Sequence, residues 1–217
     1  MKLIIFDLDG TLVNSLDDLA AAANQALKKH GFPIHENEKY KYFVGNGVPK
    51  LIERALPENM RTDTVISMVK SDFDAYYSKH YADCTKPYDV INDLLHTLKE
   101  RGYKLAVASN KPDEFTSVIV TQLFGNIFDF ISGKREDTPK KPAPDIIFKI
   151  MKASCVNAEN TVMIGDSDVD IITAENAGIS SIGCLWGFRT ADELKKAGAD
   201  HLASSPSEIL NLIIKEK

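Results

Sequence analysis

Near the start of the chain, Leu3-Ile4-Ile5-Phe6-Asp7-Leu8-Asp9-Gly10-Thr11 places two carboxylates at the end of an apolar run. Strand side chains alternate, so Asp7 and Asp9 point to the same side if the chain stays extended past Phe6. Two like charges about 4 Å apart repel by roughly 4 kcal/mol at a protein-surface dielectric. Such a pair needs a cation between its members, or a shared proton. In isolation, Asp9-Gly10 reads equally well as a turn after an edge strand. Three further breaks in apolar runs shift that balance. Ser109-Asn110 end the run Tyr103–Ala108, Lys140-Lys141 lie in a polar loop after Phe128–Ser132, and Asp166 ends Thr161–Gly165. Taken alone, Ser109-Asn110 is a helix cap and Lys141 a solvated loop charge. Together, four separate runs deliver acids, a hydroxyl and a lysine.

Asp7, Asp9 and Asp166 are hard oxygen donors with no histidine or thiolate beside them in sequence, a set that selects Mg2+ over Zn2+ or copper. The Ser109 hydroxyl and the N–H groups at a strand-to-helix passage suit a phosphate oxygen. Lys141 adds a point charge. These groups make a charge-stabilising clamp for phosphoryl transfer, in which a carboxylate can act as nucleophile and form an aspartyl-phosphate. Asp166-Ser167-Asp168-Val169-Asp170 has the alternating acids of a calcium loop but lacks its glycine at position six and glutamate at position twelve. Asp168 reads as an exposed acid at a helix start. The five histidines share no spacing.

The elements that must position these groups alternate. The unbroken apolar run Leu3–Phe6 reads as a strand buried on both faces. Helical spacing follows from Leu16, with Ser15 as N-cap, to a stop at Gly31. Further helical pieces are expected over 36–43, from Pro49, and over 62–82. From Thr85 onward strands and helices alternate: helices near 88–101, 113–124, 145 onward, 168–177 and 207–214, with strands over 103–108, 128–132, 161–165, 180–185 and 200–203. This pattern predicts a doubly wound, mostly parallel, Rossmann-like α/β sheet with ligands beyond the carboxyl ends of its strands. The strand-free stretch 15–82 is expected to be an inserted helical domain, leaving 1–14 and 83–217 as the α/β core.

Composition bounds the partners. The 217 residues suit one large domain or two modest ones, and 44% hydrophobic with 26% charged residues is ordinary for a globular protein. A net charge of −5 offers no basic field for nucleic acid. Cys84, Cys155 and Cys184 are odd in number and far apart, which argues against a disulfide framework and fits a reducing cytoplasm. The apolar run after Lys2 is shorter than a signal-peptide core of about 7–15 residues, and no run approaches the roughly 18 residues of a membrane span. The expected partner is a small anionic phosphate ester, with no nucleic acid, no membrane, and the protein a monomer or weak homodimer.

Asp7-Leu8-Asp9-Gly10-Thr11-Leu12 through Ser15 resembles the first motif of the haloacid dehalogenase superfamily. Ser109-Asn110-Lys111 resembles the second, Lys141-Pro142-Ala143-Pro144-Asp145 the third, and Gly165-Asp166-Ser167-Asp168-Val169-Asp170 the fourth. The motifs stand in the superfamily's order and span nearly the whole chain. The helical insert is similar to the C1 cap of its phosphatases. Phe43-Val44-Gly45-Asn46-Gly47, with Leu51 and Glu53-Arg54-Ala55-Leu56, is similar to the phosphoglycolate phosphatase branch. One departure is visible: Tyr88-Asp89-Val90 stands where the family often has Tyr-Pro-Gly. The resemblance implies a Mg2+-dependent phosphatase. In it Asp7 would be nucleophile and metal ligand, and Asp9 the general acid and later base, binding metal through its carbonyl. Asp166 would complete the metal site, and Asp170 would support it or hold Lys141. Ser109, Asn110 and Lys141 would bind the phosphoryl group. Gly45, Asn46 and Gly47 would let backbone N–H groups meet a substrate carboxylate, and 2-phosphoglycolate is the substrate singled out.

Other readings of the same residues are a pyrophosphatase and a sugar-phosphate phosphatase or mutase. A phosphonate hydrolase would need a cap lysine, with Lys50 nearest the glycines but reading as a surface residue. A dehalogenase does not need Asp9 and its metal. A phosphate-binding protein would not need every catalytic residue. A receiver domain would not carry a large helical insert after its first strand.

Overall fold

A computed structural model describes residues 2–215. In chain order the elements are β1 (Leu3–Phe6), β2 (Val13–Asn14), α1 (Leu16–Lys29), α2 (Asn37–Phe43), α3 (Val48–Ala55), α4 (Asp63–His80) and β3 (Lys86–Pro87). There follow α5 (Ile91–Glu100), β4 (Lys104–Pro112), α6 (Asp113–Phe124), β5 (Phe130–Lys134), α7 (Asp145–Ser154) and β6 (Thr161–Gly165). The chain ends with α8 (Asp168–Ala177), β7 (Ser180–Cys184), α9 (Ala191–Lys196), β8 (His201–Ala203) and α10 (Pro206–Lys215). No helix among the described residues is long and apolar enough to cross a membrane.

The main sheet has the order β5-β4-β1-β6-β7-β8, and its neighbouring strands pair parallel. β1 is fully buried because it lies between β4 and β6 with a layer on each face. On one face Leu3 and Ile5 join Ala106, Ala108 and Met163 beneath Ile146, Ile147 and Ile150 of α7 and Ala174 and Ala177 of α8. Ile4, Phe6, Leu105 and Val107 take the opposite face by alternation, where Phe128 meets Phe6 edge-on. The chain builds outward from β1 to β4 and β5, then returns to β6 and builds the other way. The crevice at such a reversal, beyond the carboxyl ends of the strands, is where doubly wound sheets bind ligands.

The chain forms two compact units, residues 1–13 with 87–217, and residues 14–86. The second is helical: α1 packs along α4, with α2 and α3 completing it. Its chain ends are tied by Asp18, whose buried carboxylate accepts from the Cys84 and Thr85 N–H groups and, at 2.6 Å, from the Thr85 hydroxyl.

β2, β3 and α9 have no counterpart in the sequence pattern, and three further details differ from it. β4 runs on to Pro112, so Ser109, Asn110 and Lys111 continue a strand, which shifts register against β5 after Ala108. Polar residues ended the apolar run, but not the strand, whose pairing with β5 resumes at Pro112. β5 begins at Phe130, and Phe128 packs as a loop side chain against Phe6 and Phe124. Ser15 occupies the N-cap position of α1 without a side-chain cap bond; the Asn14 Oδ1 accepts from the Leu16 N–H at 3.2 Å instead.

Candidate active site

The site is built on the first unit, from four strand ends. Asp7 follows β1, and its N–H still bonds the Ile164 carbonyl at 2.9 Å, so it leaves the sheet in register. The Lys141 ammonium donates to Asp7 Oδ1 at 2.8 Å, to the Ala108 carbonyl at 2.7 Å and to Asp170 Oδ1 at 2.7 Å. All three of its N–H bonds are thereby used, at a position 2% exposed. Asp7 Oδ2 makes no hydrogen bond among the described residues. Asp170 lies in the first turn of α8 and its Oδ2 accepts from the N–H and hydroxyl of Ser167, so one carboxylate caps its helix and holds the lysine.

Asn110 sets the loop that carries Lys141. Its Nδ2 donates to the Lys141 carbonyl at 3.0 Å and its Oδ1 accepts from the Lys141 N–H at 2.8 Å. Ser109 is buried beside it and accepts from the Lys111 N–H at 3.2 Å. Lys140, one residue away, is exposed.

Asp166 follows β6. Its Oδ2 accepts from the Phe188 N–H at 2.7 Å, and its Oδ1 from the Thr11 hydroxyl at 3.3 Å. Two glycines make room for it. A Cβ on Gly10, whose φ is +89°, would lie 2.3 Å from Asp166 Oδ2, and a Cβ on Gly187 would lie 2.3 Å from the Asp166 Cβ. Neither approach is open to a larger residue. Trp186 Nε1 donates to the Thr11 carbonyl at 3.0 Å and closes the same corner. Phe188, Trp186 and Gly187 have no counterpart in the sequence reading. The signal for them was a glycine between two aromatics after a strand, which marks a close backbone approach.

Asp9 points to a different partner. Lys111 Nζ lies 3.1 and 3.2 Å from its two carboxylate oxygens, with the lysine side chain 3% exposed. Lys111 was legible only as the third letter of a motif. Its ion pair spans 102 positions.

Carboxylate oxygens of Asp7, Asp166 and Asp170 lie within 4.8 Å of one another. Burial, then the neighbouring Asp170 charge, pushes the Asp7 carboxyl up to about 7, with the Lys141 ammonium opposing. Asp166 is likewise held well above the usual carboxylate range by burial, then by Asp170 and Asp7. Lys141 is penalised by burial, but Asp170 and Asp7 more than offset this and hold it protonated. Three converging acids, oxygen-only donors and one lysine leave negative charge that a hard cation would neutralise, so the residues fit a divalent metal.

The profile of the haloacid dehalogenase-like hydrolases matches residues 4–184, from β1 to the end of β7. The chain belongs to this family. A phosphoglycolate phosphatase of Vibrio parahaemolyticus is 34% identical to this hydrolase, over 98% of this chain and 96% of the relative. A solved structure of a candidate phosphoglycolate phosphatase from Lactobacillus delbrueckii subsp. bulgaricus superposes with a TM-score of 0.94 at 34% identity, covering 98% of this hydrolase and 99% of that chain. CbbY from Rhodobacter sphaeroides, solved in complex with xylulose-(1,5)-bisphosphate, gives 0.78 at 25% identity, over 96% of each chain.

Gly45, Asn46 and Gly47 belong to the helical unit of the hydrolase. Gly47 is the N-cap of α3, and Asn46 Oδ1 accepts from Arg54 Nη2 at 2.8 Å while Arg54 Nη1 donates to the Phe43 carbonyl. Lys50 pairs with Glu53 one helical turn on, at 2.7 Å and half-exposed, which is the geometry of a surface residue.

Proposed function

We propose that this hydrolase is a Mg2+-dependent phosphomonoesterase that acts on 2-phosphoglycolate through an aspartyl-phosphate. The observation that carries the reading is the division of Asp7: Lys141 fixes one oxygen and the other makes no hydrogen bond among the described residues. An oriented carboxylate with one open oxygen beside a charge-neutralising lysine is what in-line attack on phosphorus needs. Asp7 Oδ2 forms the new bond to phosphorus as the ester P–O bond breaks. Asp9 gives a proton to the departing oxygen, then takes one from the water that hydrolyses the acyl phosphate. Lys141 and the Ser109 hydroxyl balance charge on the phosphoryl oxygens, and Asn110 keeps Lys141 in place. A Mg2+ ion held by Asp7, Asp166 and the Asp9 carbonyl, with Asp170 in support, would supply further neutralisation of those oxygens. Two relatives carrying the phosphoglycolate phosphatase name, at 34% identity across nearly all of the chain, support the substrate.

The test is turnover with Mg2+ on 2-phosphoglycolate, p-nitrophenyl phosphate, pyrophosphate and a hexose phosphate. 2-Phosphoglycolate should show the highest kcat/KM although p-nitrophenol is the better leaving group, because carboxylate binding energy reverses the intrinsic order. Asp7→Asn and EDTA should each abolish turnover. A poor rate on 2-phosphoglycolate with a good rate on pyrophosphate or a hexose phosphate overturns the substrate assignment, and activity in Asp7→Asn overturns the covalent step.

A further inference from the structure

Lys111 takes no part in the reaction derived above, yet it is a buried cation at the same rim. Its ammonium contacts both oxygens of the Asp9 carboxylate at nearly equal distances, 3.1 and 3.2 Å. The position is therefore already a carboxylate-binding site, and the carboxylate it holds is a side chain that has other work to do. Lys141 cannot fill that role for a substrate. Its three N–H bonds are committed to Asp7, Ala108 and Asp170, and releasing them would free the nucleophile.

Asp9 serves the leaving oxygen in the proposed reaction, so the atoms attached to that oxygen come to lie beside Lys111. When Asp9 turns toward the ester, a desolvated ammonium gives up this ion pair. Giving up an ion pair at a buried ammonium is costly, and a substrate that brings its own anion offsets the cost. A neutral or cationic leaving group does not. Selectivity then comes from what the site penalises as well as from what it binds.

We propose that Lys111 is the specificity-determining residue of this hydrolase: it takes a carboxylate carried on the leaving group, one carbon from the ester oxygen, in exchange for Asp9. The proposal rests on the phosphatase reading and adds the core residue that recognises the organic half of the ester.

Steady-state kcat/KM with Mg2+ on 2-phosphoglycolate, ethyl phosphate and O-phosphoethanolamine tests it. The three esters share a two-carbon skeleton and differ in terminal charge. Lys111→Met should lower kcat/KM for 2-phosphoglycolate about thirtyfold more than for ethyl phosphate, mostly through KM. Lys111→Glu should reverse the order of 2-phosphoglycolate and O-phosphoethanolamine. Each ratio is taken within one preparation, so a partly folded variant does not distort it, and Lys111→Gln replaces Lys111→Met if that protein does not fold. A wild-type preference for 2-phosphoglycolate that survives Lys111→Met, or equal losses on both esters, overturns this inference and leaves the phosphatase reading standing. A wild-type enzyme inactive on 2-phosphoglycolate overturns both.

Discussion

At the scale of single residues, the proposed chemistry turns on how Lys141 divides its three N–H bonds. Two go to carboxylates and one to a backbone carbonyl, so the ammonium is fixed before any substrate arrives. Preorganised charge of this kind is worth about 3 kcal/mol, on the order of a hundredfold in rate, when it faces a developing anion. Lys141→Ala should lower kcat about a hundredfold on a phosphomonoester, while Lys140→Ala, which removes an exposed neighbour, should stay within about twofold. A larger loss from Lys140→Ala would show that the wrong lysine has been placed at Asp7. Asp7, Asp166 and Ser109 could be picked out from sequence because each breaks an apolar run, and Lys141 because it lies in the polar loop after another. Gly187, which lets a backbone approach Asp166, left only the trace of a glycine between two aromatics, and the Phe188 N–H left none, because a backbone donor has no mark in residue type.

At the scale of elements, the strands and helices were legible because buried runs and helical spacing mark them directly. Their ends were less so, because polar side chains stop a periodicity without stopping a strand. β4 shows this: Asn110 and Lys111 break the apolar run yet lie inside the strand, between its paired residues Ala108 and Pro112, with site-facing work. The entry to α5 is a second case. Val90 is its N-cap and holds φ +66°, in the left-handed region, at a half-exposed position where the family often has glycine. A β-branched residue there costs about 1–2 kcal/mol of local strain, and glycine gives back part of the relief as unfolded-chain entropy. Val90→Gly should raise stability by about 0.5–1 kcal/mol, a Tm increase of roughly 1–4 °C for a chain of this size, measured by thermal melting. A lower Tm would mean that contacts of the valine outweigh its backbone strain.

At the scale of the whole molecule, the same clustering of acids that suits catalysis works against stability. Folding buries Asp7 and Asp166 beside Asp170, and both carboxyls bind protons more tightly in the native state than in the unfolded chain. For Asp7 the change runs from an ordinary 3.8 to about 7. Between those values the native state carries protons that the unfolded chain has already lost. Stability therefore falls as pH rises through that window; the contribution is intact below about 4 and gone above about 7. Other carboxylates, such as the partly buried Asp72, held low by hydrogen bonds from Lys29 and then His30, pull the other way and hide the effect in a single curve. Comparison with Asp7→Asn cancels them. In metal-free buffer, the Tm of the wild type minus that of Asp7→Asn should drop steadily from pH 4 to pH 8. With millimolar Mg2+ the drop should shrink, because a cation bound only by the native state stabilises the ionised acids. A difference that stays flat with pH in EDTA would show that Asp7 is ionised at no cost. The acids would then not be strained toward a metal.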